Sequence, residues 1–294
     1  MELLGIPAKA VFGQLLLGLI NGSFYAVLSL GLAVIFGLLN IINFSHGALY
    51  MVGAFGALLG LTYLGMNYWV ALFVVPLAVG VLGVVIERTM LKKLYKMDHL
   101  YGLLLTFGLA LIAEGVFRYY FGISGESYPV PEALEGGKDL GFMFLPLYRG
   151  WVVAASLLVC VATWYLIERT SLGATLRAAT EKPELVQALG INVPLLVTLT
   201  YGAGVALAAF AGVLAAPVLQ VNPVMGSNLI IVVFAVVVIG GMGSIAGSIV
   251  TGLGLGVVEG LTKVFYPEAS AIVIFVVMII VLLFRPAGLF GKQA

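Results

Sequence analysis

The chain has 294 residues, of which 62% are hydrophobic and only 9% are charged, and its formal net charge is +1. A soluble globular domain is typically about 45–50% apolar and about 25% charged, so this composition excludes a water-soluble fold. A net charge this close to zero also argues against a nucleic-acid partner. The composition therefore predicts a polytopic membrane protein.

Apolar runs of helix length extend along the whole chain and predict an all-α membrane fold, since each crossing needs about 20 apolar residues. The first and seventh runs exceed one crossing, so each is tilted, broken, re-entrant or two short passes, and 8–10 transmembrane helices are possible. We expect one transmembrane domain over 1–294, with about eight spans at 10–39, 44–62, 67–86, 101–121, 150–167, 195–216, 228–265 and 270–285.

Four polar residues stand together where the first span ends and the second begins: Asn40, Asn43, Ser45 and His46. Polar groups at membrane depth are costly unless they meet water, a ligand or freed backbone groups. Two interpretations stay open, in which Asn43 either caps a helix that begins near Ser45 or contacts a substrate. Because the only other histidine is His99, we expect His46 to orient its neighbours by hydrogen bonding.

The distribution of Lys and Arg predicts the orientation of the loops, because cytoplasmic loops carry an excess of both. Segment 122–149 has four acidic residues against two basic ones, so we place it outside as an external loop. Segments 87–98 and 168–193 and the C-terminal tail are placed inside from Arg88, Lys92, Lys93, Lys96, Arg169, Arg177, Lys182, Arg285 and Lys292.

The internal segment 168–194 is predicted to contain a short amphipathic helix. Thr180 is a suitable N-cap, and Gly190 suits the left-handed position that follows a helix. This helix either only gives the loop a regular structure at the membrane surface or docks a cytoplasmic partner. Its first turn and its apolar stripe are formed by Glu181, Pro183 and Glu184, and by Leu185, Ala188 and Leu189.

A glycine-rich stretch, GGMGSIAGS (Gly240–Ser248), interrupts the seventh apolar run. Together with the polar residues near Asn43, it places an interruption in each part of the chain, which indicates a possible inverted repeat with a site at mid-membrane. Most other glycines are expected to serve close helix packing. The pairs Glu114/Arg118 and Glu259/Lys263 are interpreted as self-neutralised i,i+4 pairs on helix surfaces.

The chain lacks the motifs of nucleotide-hydrolysing and other common enzymes. It contains no G-x-x-x-x-G-K-[ST] loop, no H-E-x-x-H and no G-x-S-x-G elbow with triad partners. The single cysteine, Cys160, lies in an apolar run and predicts neither a disulfide nor a metal site. We therefore expect no enzymatic activity, and any ATP hydrolysis would belong to another subunit.

Three stretches together resemble one family: GLLNIINFSHGALYMVGAF (37–55), SLGATLRAATEKPELVQALGINV (171–193) and VVIGGMGSIAGSIVTGLGLGVVE (237–259). The chain is similar to the membrane permease subunits of branched-chain amino-acid ABC importers, in the subtype with an Asn-Phe-Ser-His-Gly block. This resemblance implies a second permease subunit, identical or paralogous, and a periplasmic or lipid-anchored binding protein. It also implies two cytoplasmic ATPases that bind ATP and Mg²⁺, no cofactor in this chain, and a bacterial or archaeal inner membrane with the C-terminus inside.

Two sets of candidate residues follow. The resemblance implies an ATPase-coupling set of Arg177, Thr180, Glu181, Leu185, Leu189 and Gly190. The expected substrate pathway contains Asn43, Phe44, Ser45, His46, Gly47, Gly240, Gly241, Gly243, Ser244 and Gly247.

The expected substrate is an aliphatic amino acid. Broken-helix N-termini can receive its α-carboxylate, and Phe44, Met51 and Phe55 can accept its side chain. Similar permeases serve urea and short amides, so that substrate class is an alternative. A self-sufficient channel or secondary transporter, active without ATP, is another.

Overall fold

A computed structural model describes residues 2–3, 6–39, 42–95 and 97–291, which form eleven α-helices. Asn40, Lys96 and Lys292 lie outside these described residues. Short strands pair Glu2–Leu3 with Ile6–Pro7 and Gly137–Asp139 with Phe144–Pro146. The helices are α1 (Ala8–Leu39), α2 (Ser45–Leu64), α3 (Tyr68–Thr89), α4 (His99–Phe121), α5 (Leu147–Arg169), α6 (Ser171–Glu181), α7 (Pro183–Ala188), α8 (Val193–Ala215), α9 (Met225–Gly240), α10 (Ile245–Phe265) and α11 (Val273–Phe284).

The all-α polytopic fold is confirmed. In the described part of the chain, seven helices are long and apolar enough to cross a membrane, and α9 and α11 are shorter apolar helices. The first long run is a single helix of 32 residues. Gly31 and Gly37 do not interrupt this helix. They instead allow neighbouring backbones to approach closely: a Cβ on Gly31 would lie 2.7 Å from the Gly204 carbonyl oxygen.

The second long run, 228–265, is divided into α9 and α10 by a turn at 241–244. Gly241 and Gly243 have φ values of 101° and 83°, a region that favours glycine. The Ser244 hydroxyl accepts a hydrogen bond from the Gly247 N–H (3.1 Å) and so caps α10. On the other side of the turn, the Phe290 N–H of the C-terminal segment donates to the Gly240 carbonyl (3.1 Å). The break is therefore satisfied by local and C-terminal partners.

The helices α1–α4 and α8–α11 pack in the same pattern. Helix α1 runs antiparallel to α10, where the Ser29 hydroxyl donates to the Ser248 carbonyl (3.2 Å). In the same way α8 runs antiparallel to α3, where the Thr198 hydroxyl donates to Glu87 (2.7 Å). Helix α2 contacts the two helices that follow it, α3 and α4, and α9 likewise contacts the two helices that follow it, α10 and α11. The equivalent helices are therefore α1/α8, α2/α9, α3/α10 and α4/α11.

Two crossings join helices that are equivalent to each other. Gly31 of α1 and Gly204 of α8 approach each other so closely that a Cβ on either one would meet the carbonyl oxygen of the other. Gly47 of α2 and Gly226 of α9 approach in the same reciprocal way. A symmetry axis must pass through contacts of this kind. Five long apolar helices of the described chain, α1–α5, precede α8, so α8 crosses in the opposite direction to α1 and the repeat is inverted. Because the axis of an inverted repeat lies in the membrane plane, both crossings are near the middle of the membrane.

The turns that precede α2 and α9 are equivalent in this repeat. Each has the spacing Asn-x-x-x-Gly, with Asn43 and Asn222 four residues before the crossing glycines. Each asparagine Oδ1 accepts a hydrogen bond (3.1 Å) from the N–H two residues later, that of Ser45 or Val224.

The sequence-based pairing of Asn43–Gly47 with Gly240–Ser248 is therefore wrong. The glycine-rich turn instead matches the connection between α2 and α3, because α10 is the equivalent of α3. There Gly65 has a positive φ of 61°, and Asn67 accepts from the Val70 N–H (2.9 Å) to cap α3.

Helices α5–α7 lie between the two repeats in the chain. The acidic segment 122–146 precedes α5, and Glu126 in it pairs with Val221, just before α9. This bridge places the acidic segment on the same side as the turn at Asn222.

Candidate functional site

Asn43 directs its whole side-chain amide into the protein. The residue is 1% exposed. Its Oδ1 accepts from the Ser45 N–H (3.1 Å) and hydroxyl (2.5 Å), and its Nδ2 donates to the Tyr201 hydroxyl (3.1 Å) on α8. This is the capping geometry, supplied from one residue before the usual N-cap position, which Phe44 occupies.

His46 ties α2 to α1. It is fully buried, and its Nε2 lies 3.0 Å from the Leu28 carbonyl oxygen, so Nε2 carries the proton and donates. Among the described residues, its Nδ1 has no hydrogen-bond partner. Gly47 follows at the crossing with Gly226, where the two backbones touch. Both residues fix the position of the first turn of α2.

Phe44 lies at the centre of an aromatic cluster. Its ring stacks on Phe234 of α9 with centroids 6.1 Å apart and meets the edge of Phe107 of α4 at 6.2 Å. Its N–H donates to the Thr106 hydroxyl (3.2 Å), which holds the turn against α4. The cluster therefore joins three helices next to the Gly47–Gly226 crossing.

A cavity of about 60 Å³ begins at this cluster and lies between α2, α4 and α9. Because Gly47 and Gly226 both line it, the cavity lies near mid-membrane. Two of the three expected apolar wall residues, Phe44 and Met51, line this cavity. Phe55 instead packs between Phe117 and Phe121, with ring centroids 4.6 and 4.9 Å away.

One charged residue in the cavity wall was not expected there. Glu114 lines the cavity, and its Oε1 accepts from Arg118 Nη2 at 2.8 Å. The predicted ion pair is therefore present, but one of its members faces the cavity beside Ser227. The sequence signal for such a position was the charge of Glu114 within a span. The opposite charge of Arg118 concealed this signal, because the two residues were interpreted as a neutral pair on the helix surface.

The glycine-rich residues of the other candidate group lie elsewhere. Gly240 packs on Gly247, Gly241 on the C-terminal Gly288, and Gly243 on Gly37 at the end of α1. Gly243 also lines a second cavity of about 60 Å³, together with Arg177. The structure thus separates the two groups of pathway candidates into the cavity region and a close-packed turn.

A buried acidic network also escaped sequence reasoning. Glu87 near the end of α3 is 1% exposed and accepts from the hydroxyls of Tyr95 (2.6 Å) and Thr198 (2.7 Å). Burial raises the pKa of the Tyr95 phenol, and its hydrogen bond to Glu87 adds to the shift. This network links the 90–98 loop to α8.

The segment 168–194 forms two helices, α6 and α7, rather than one. Thr180 lies in the last turn of α6, and its hydroxyl donates to the Leu176 carbonyl (2.9 Å), so the prediction that it caps the next helix is wrong. Residues 171–181 are already helical, and Lys182 occupies the N-cap position of α7. The prediction for Gly190 is confirmed: its φ is 85°.

Helix α7 presents apolar side chains to the outside. Leu185 and Leu189 are 60% and 75% exposed, whereas Val186 is buried against Ala179 of α6 and Val193 of α8. Glu181 is also exposed. The helix is therefore anchored on one side and open on the other.

Arg177 connects α6 to the membrane helices. Its guanidinium donates to the Ile167 carbonyl (2.6 Å) and lies 3.4 Å from Glu168. With Gly37 and Gly243 it lines the second cavity, and α6 also contacts α1. Helix α6 therefore lies beside the end of α1 and the 241–244 turn.

A sequence profile described as "Branched-chain amino acid transport system / permease component" matches residues 14–282. The chain is 31% identical to the branched-chain amino acid permease protein BraD of Pseudomonas aeruginosa over 95% of each chain. It is 29% identical to LivH of Escherichia coli over 95% of each chain. It is 28% identical to LivM of the same organism, over 90% of this chain and 67% of LivM. The chain therefore belongs to the family of permease components of branched-chain amino acid transport systems.

Proposed function

We propose that this chain is one permease subunit of an ATP-driven importer for leucine, isoleucine and valine. The observation that carries the proposal is the family match along residues 14–282, which includes nearly all of the apolar helices. The names of the similar proteins BraD, LivH and LivM support the substrate class. ATP and Mg²⁺ would bind in partner ATPases and not in this chain.

The pathway is proposed to be completed by a second permease subunit, identical or paralogous. One organism, E. coli, has two similar permease proteins, LivH and LivM, which favours a paralogue. Helix α9 supports an interface on this side, because Ser227 and Asn228 are exposed. Polar side chains in a span face protein or water rather than lipid.

The two membrane faces are assigned by charge. We place segments 87–98 and 168–193 and the C-terminus in the cytoplasm of a bacterial or archaeal cell. Between residues 193 and 284, all of which are described, there are four apolar helices. An even number of crossings agrees with this placement of both the coupling segment and the tail.

The outer face is proposed to receive a substrate-binding protein. A groove of about 540 Å³ opens between the start of α3 and the acidic segment 122–146. Trp69 lines it and is 38% exposed, with Glu132 and Glu135 beside it, whereas Tyr68 and Tyr128 lie buried beneath. An exposed aromatic side chain with polar neighbours is typical of protein interfaces, which supports docking at this groove.

On the inner face, we propose that α7 docks into an ATPase subunit through Leu185 and Leu189. Val186 packs against α8, and α6 contacts α1, so a displacement of the ATPases would reach helices of both repeats. ATP binding would shift the helices from an outward-open to an inward-open arrangement, and hydrolysis would reset them. Gly240, Gly241, Gly243, Ser244 and Gly247 would then belong to the moving turn.

The test is reconstitution in liposomes of the purified permeases and ATPases, with binding protein added outside. We expect uptake of labelled leucine that requires ATP and binding protein. Uptake by this chain alone, driven by an ion gradient, would instead assign it as a secondary transporter. Transport of urea or acetamide but not of leucine would reject the amino-acid substrate.

A matched pair of substitutions tests the docking helix. Leu185→Asp should abolish co-purification of the ATPases, because a carboxylate cannot enter an apolar pocket. The control is Ile123→Asp, the same kind of change at a position that is 74% exposed beyond α4. ATPase binding that survives Leu185→Asp would show that α7 is not the docking site.

A further inference from the structure

Glu114 and Arg118 place a carboxylate and a guanidinium side by side within an apolar helix. Glu114 is seven residues from the end of α4 at Phe121, or about 10 Å inside the helix end. Charged groups at that depth face water, protein or a ligand rather than lipid. Because the Glu114 side chain is 22% exposed and lies in a cavity wall, it can meet a molecule that enters the cavity.

Only one of the two carboxylate oxygens of Glu114 accepts a hydrogen bond from the described residues. Arg118 engages Oε1 at 2.8 Å, and among the described residues no donor reaches Oε2. The pair Glu259/Lys263 on α10 has the same spacing but differs in this respect. There Oε1 accepts from Lys263 (2.5 Å) and Oε2 accepts from the Tyr25 hydroxyl (2.8 Å), so both oxygens are occupied by the protein.

The rest of the cavity suits an aliphatic side chain. Phe44, Met51, Phe107 and Ile230 line it, and its volume is about 60 Å³. A space of that size holds roughly four to six water-sized spheres, which is close to the four carbons of a leucine side chain. Glu114 lines the cavity together with these apolar side chains, and Arg118 is held beside it by the ion pair.

We propose that this cavity, together with Glu114 and Arg118, is the transient site through which the aliphatic amino acid passes. The inference rests on the proposed function and names the site that the function requires. Glu114 accepts from the α-ammonium group, Arg118 donates to the α-carboxylate, and the side chain enters the space bounded by Phe44. The two charges of an α-amino acid are only two bonds from each other, which matches two charged groups 2.8 Å apart.

Phe44, Phe107 and Phe234 then close the cavity at its inner end. The cluster contacts the first turn of α2, near the midplane, whereas Glu114 lies closer to the outer end of α4. The structure therefore corresponds to a pathway that is blocked on its cytoplasmic side. Opening requires Phe44 to separate from α4 or α9.

The experiment uses the complete importer in liposomes and measures ATP-dependent uptake of labelled leucine. We expect Glu114→Gln and Arg118→Gln each to lower the uptake rate at least tenfold with unchanged thermal stability. The controls Glu259→Gln and Lys263→Gln neutralise the other pair and should stay within twofold of the unsubstituted importer. Uptake above half of the normal rate in both Glu114→Gln and Arg118→Gln would overturn the site.

A charge exchange distinguishes substrate binding from a purely structural ion pair. In the double variant Glu114→Arg with Arg118→Glu the pair remains, but the amino acid would have to reverse its orientation. We expect uptake to stay at least tenfold low, and recovery to above half of the normal rate would overturn the proposal. An unsubstituted importer that transports no branched-chain amino acid would reject the proposed function and this site together.

Cavity size offers an independent readout. Ala110 lines the cavity, and Ala110→Leu should fill part of it. We expect the ratio of leucine to valine uptake to fall at least threefold, since the longer side chain loses more space. An unchanged ratio in a stable variant would show that this cavity does not receive the side chain.

Discussion

The turns before α2 and α9 are equivalent in the inverted repeat, yet they have different surroundings. Asn43 is 1% exposed and reaches α8 through Tyr201, whereas Asn222 is partly exposed and its Nδ2 donates to Gln220 in its own turn (3.0 Å). Both use Oδ1 in the same way to hold the backbone. The repeat therefore determines the shape of the turn, and the neighbouring helices determine how much of the fold depends on it.

The largest effect is expected where the two repeats touch, at the Gly47–Gly226 crossing. Gly226→Leu would push a side chain into the Gly47 backbone, which cannot yield as a flexible side chain does. We expect a loss of about 3 kcal/mol of stability, the upper end of typical overpacking costs, or no stable subunit, measured by yield and thermal unfolding in detergent. The control is Gly254→Leu on α10, where an added Cβ meets nothing within 4 Å. If the Gly226→Leu and Gly254→Leu variants were equally stable, the close contact between Gly47 and Gly226 would be contradicted.

The comparison of the two asparagines gives the next largest effect. Asn43→Ala leaves the buried Tyr201 hydroxyl and Ser45 N–H without their partner and should cost about 2–3 kcal/mol. Asn222→Ala removes a cap in a partly exposed turn and should cost about 1 kcal/mol. Both are measured by thermal unfolding. A stable Asn43→Ala subunit with impaired leucine uptake would instead assign Asn43 to substrate contact.

The equivalent helix pairs α3/α8 and α1/α10 differ in the polar bond that joins them. Thr198→Val removes one of two donors to the buried Glu87 carboxylate and should cost about 1.5–3 kcal/mol. Ser29→Ala removes a neutral hydrogen bond to the Ser248 carbonyl and should cost about 1 kcal/mol. Chemical unfolding of both variants checks the order, and the reverse order would mean that Glu87 does not depend on Thr198.

The smallest effects are expected at the caps of α3 and α10, which the repeat makes equivalent. Asn67→Ala and Ser244→Ala each remove one side-chain acceptor from a helix start, at 2.9 and 3.1 Å from the capped N–H. We expect losses of about 1 kcal/mol in each case. A difference well above 1 kcal/mol in thermal unfolding would show that the two turns are not equivalent in stability.

Several features follow from local sequence alone. Apolar runs of about 20 residues predict the spans, because lipid requires every backbone group to be satisfied within a helix. Gly190 after an amphipathic stretch predicts its left-handed conformation, and the glycines at 240–243 predict a break in a long run. These signals act within one turn or one helix, so no knowledge of neighbours is needed.

Other features depend on which helices meet. Thr180 is a good N-cap residue by type, but α6 continues through it. Glu114 and Glu259 are alike in sequence, each four residues before a basic residue. Only Glu114 lines the cavity beside Phe44, because α4 packs there against α2, whereas Glu259 lies on α10 and bonds Tyr25 of α1.

The sequence by itself determined the class of fold, most span positions and the family, since these rest on composition, periodicity and local motifs. The tertiary structure alone decided that Asn43 is the counterpart of Asn222, that Glu87 is buried, and that Glu114 faces a cavity. The physical reason is that in a span nearly every face is apolar. Hydrophobic periodicity therefore says little about which face a helix turns inward, and close glycine contacts supply that information only once the helices are packed.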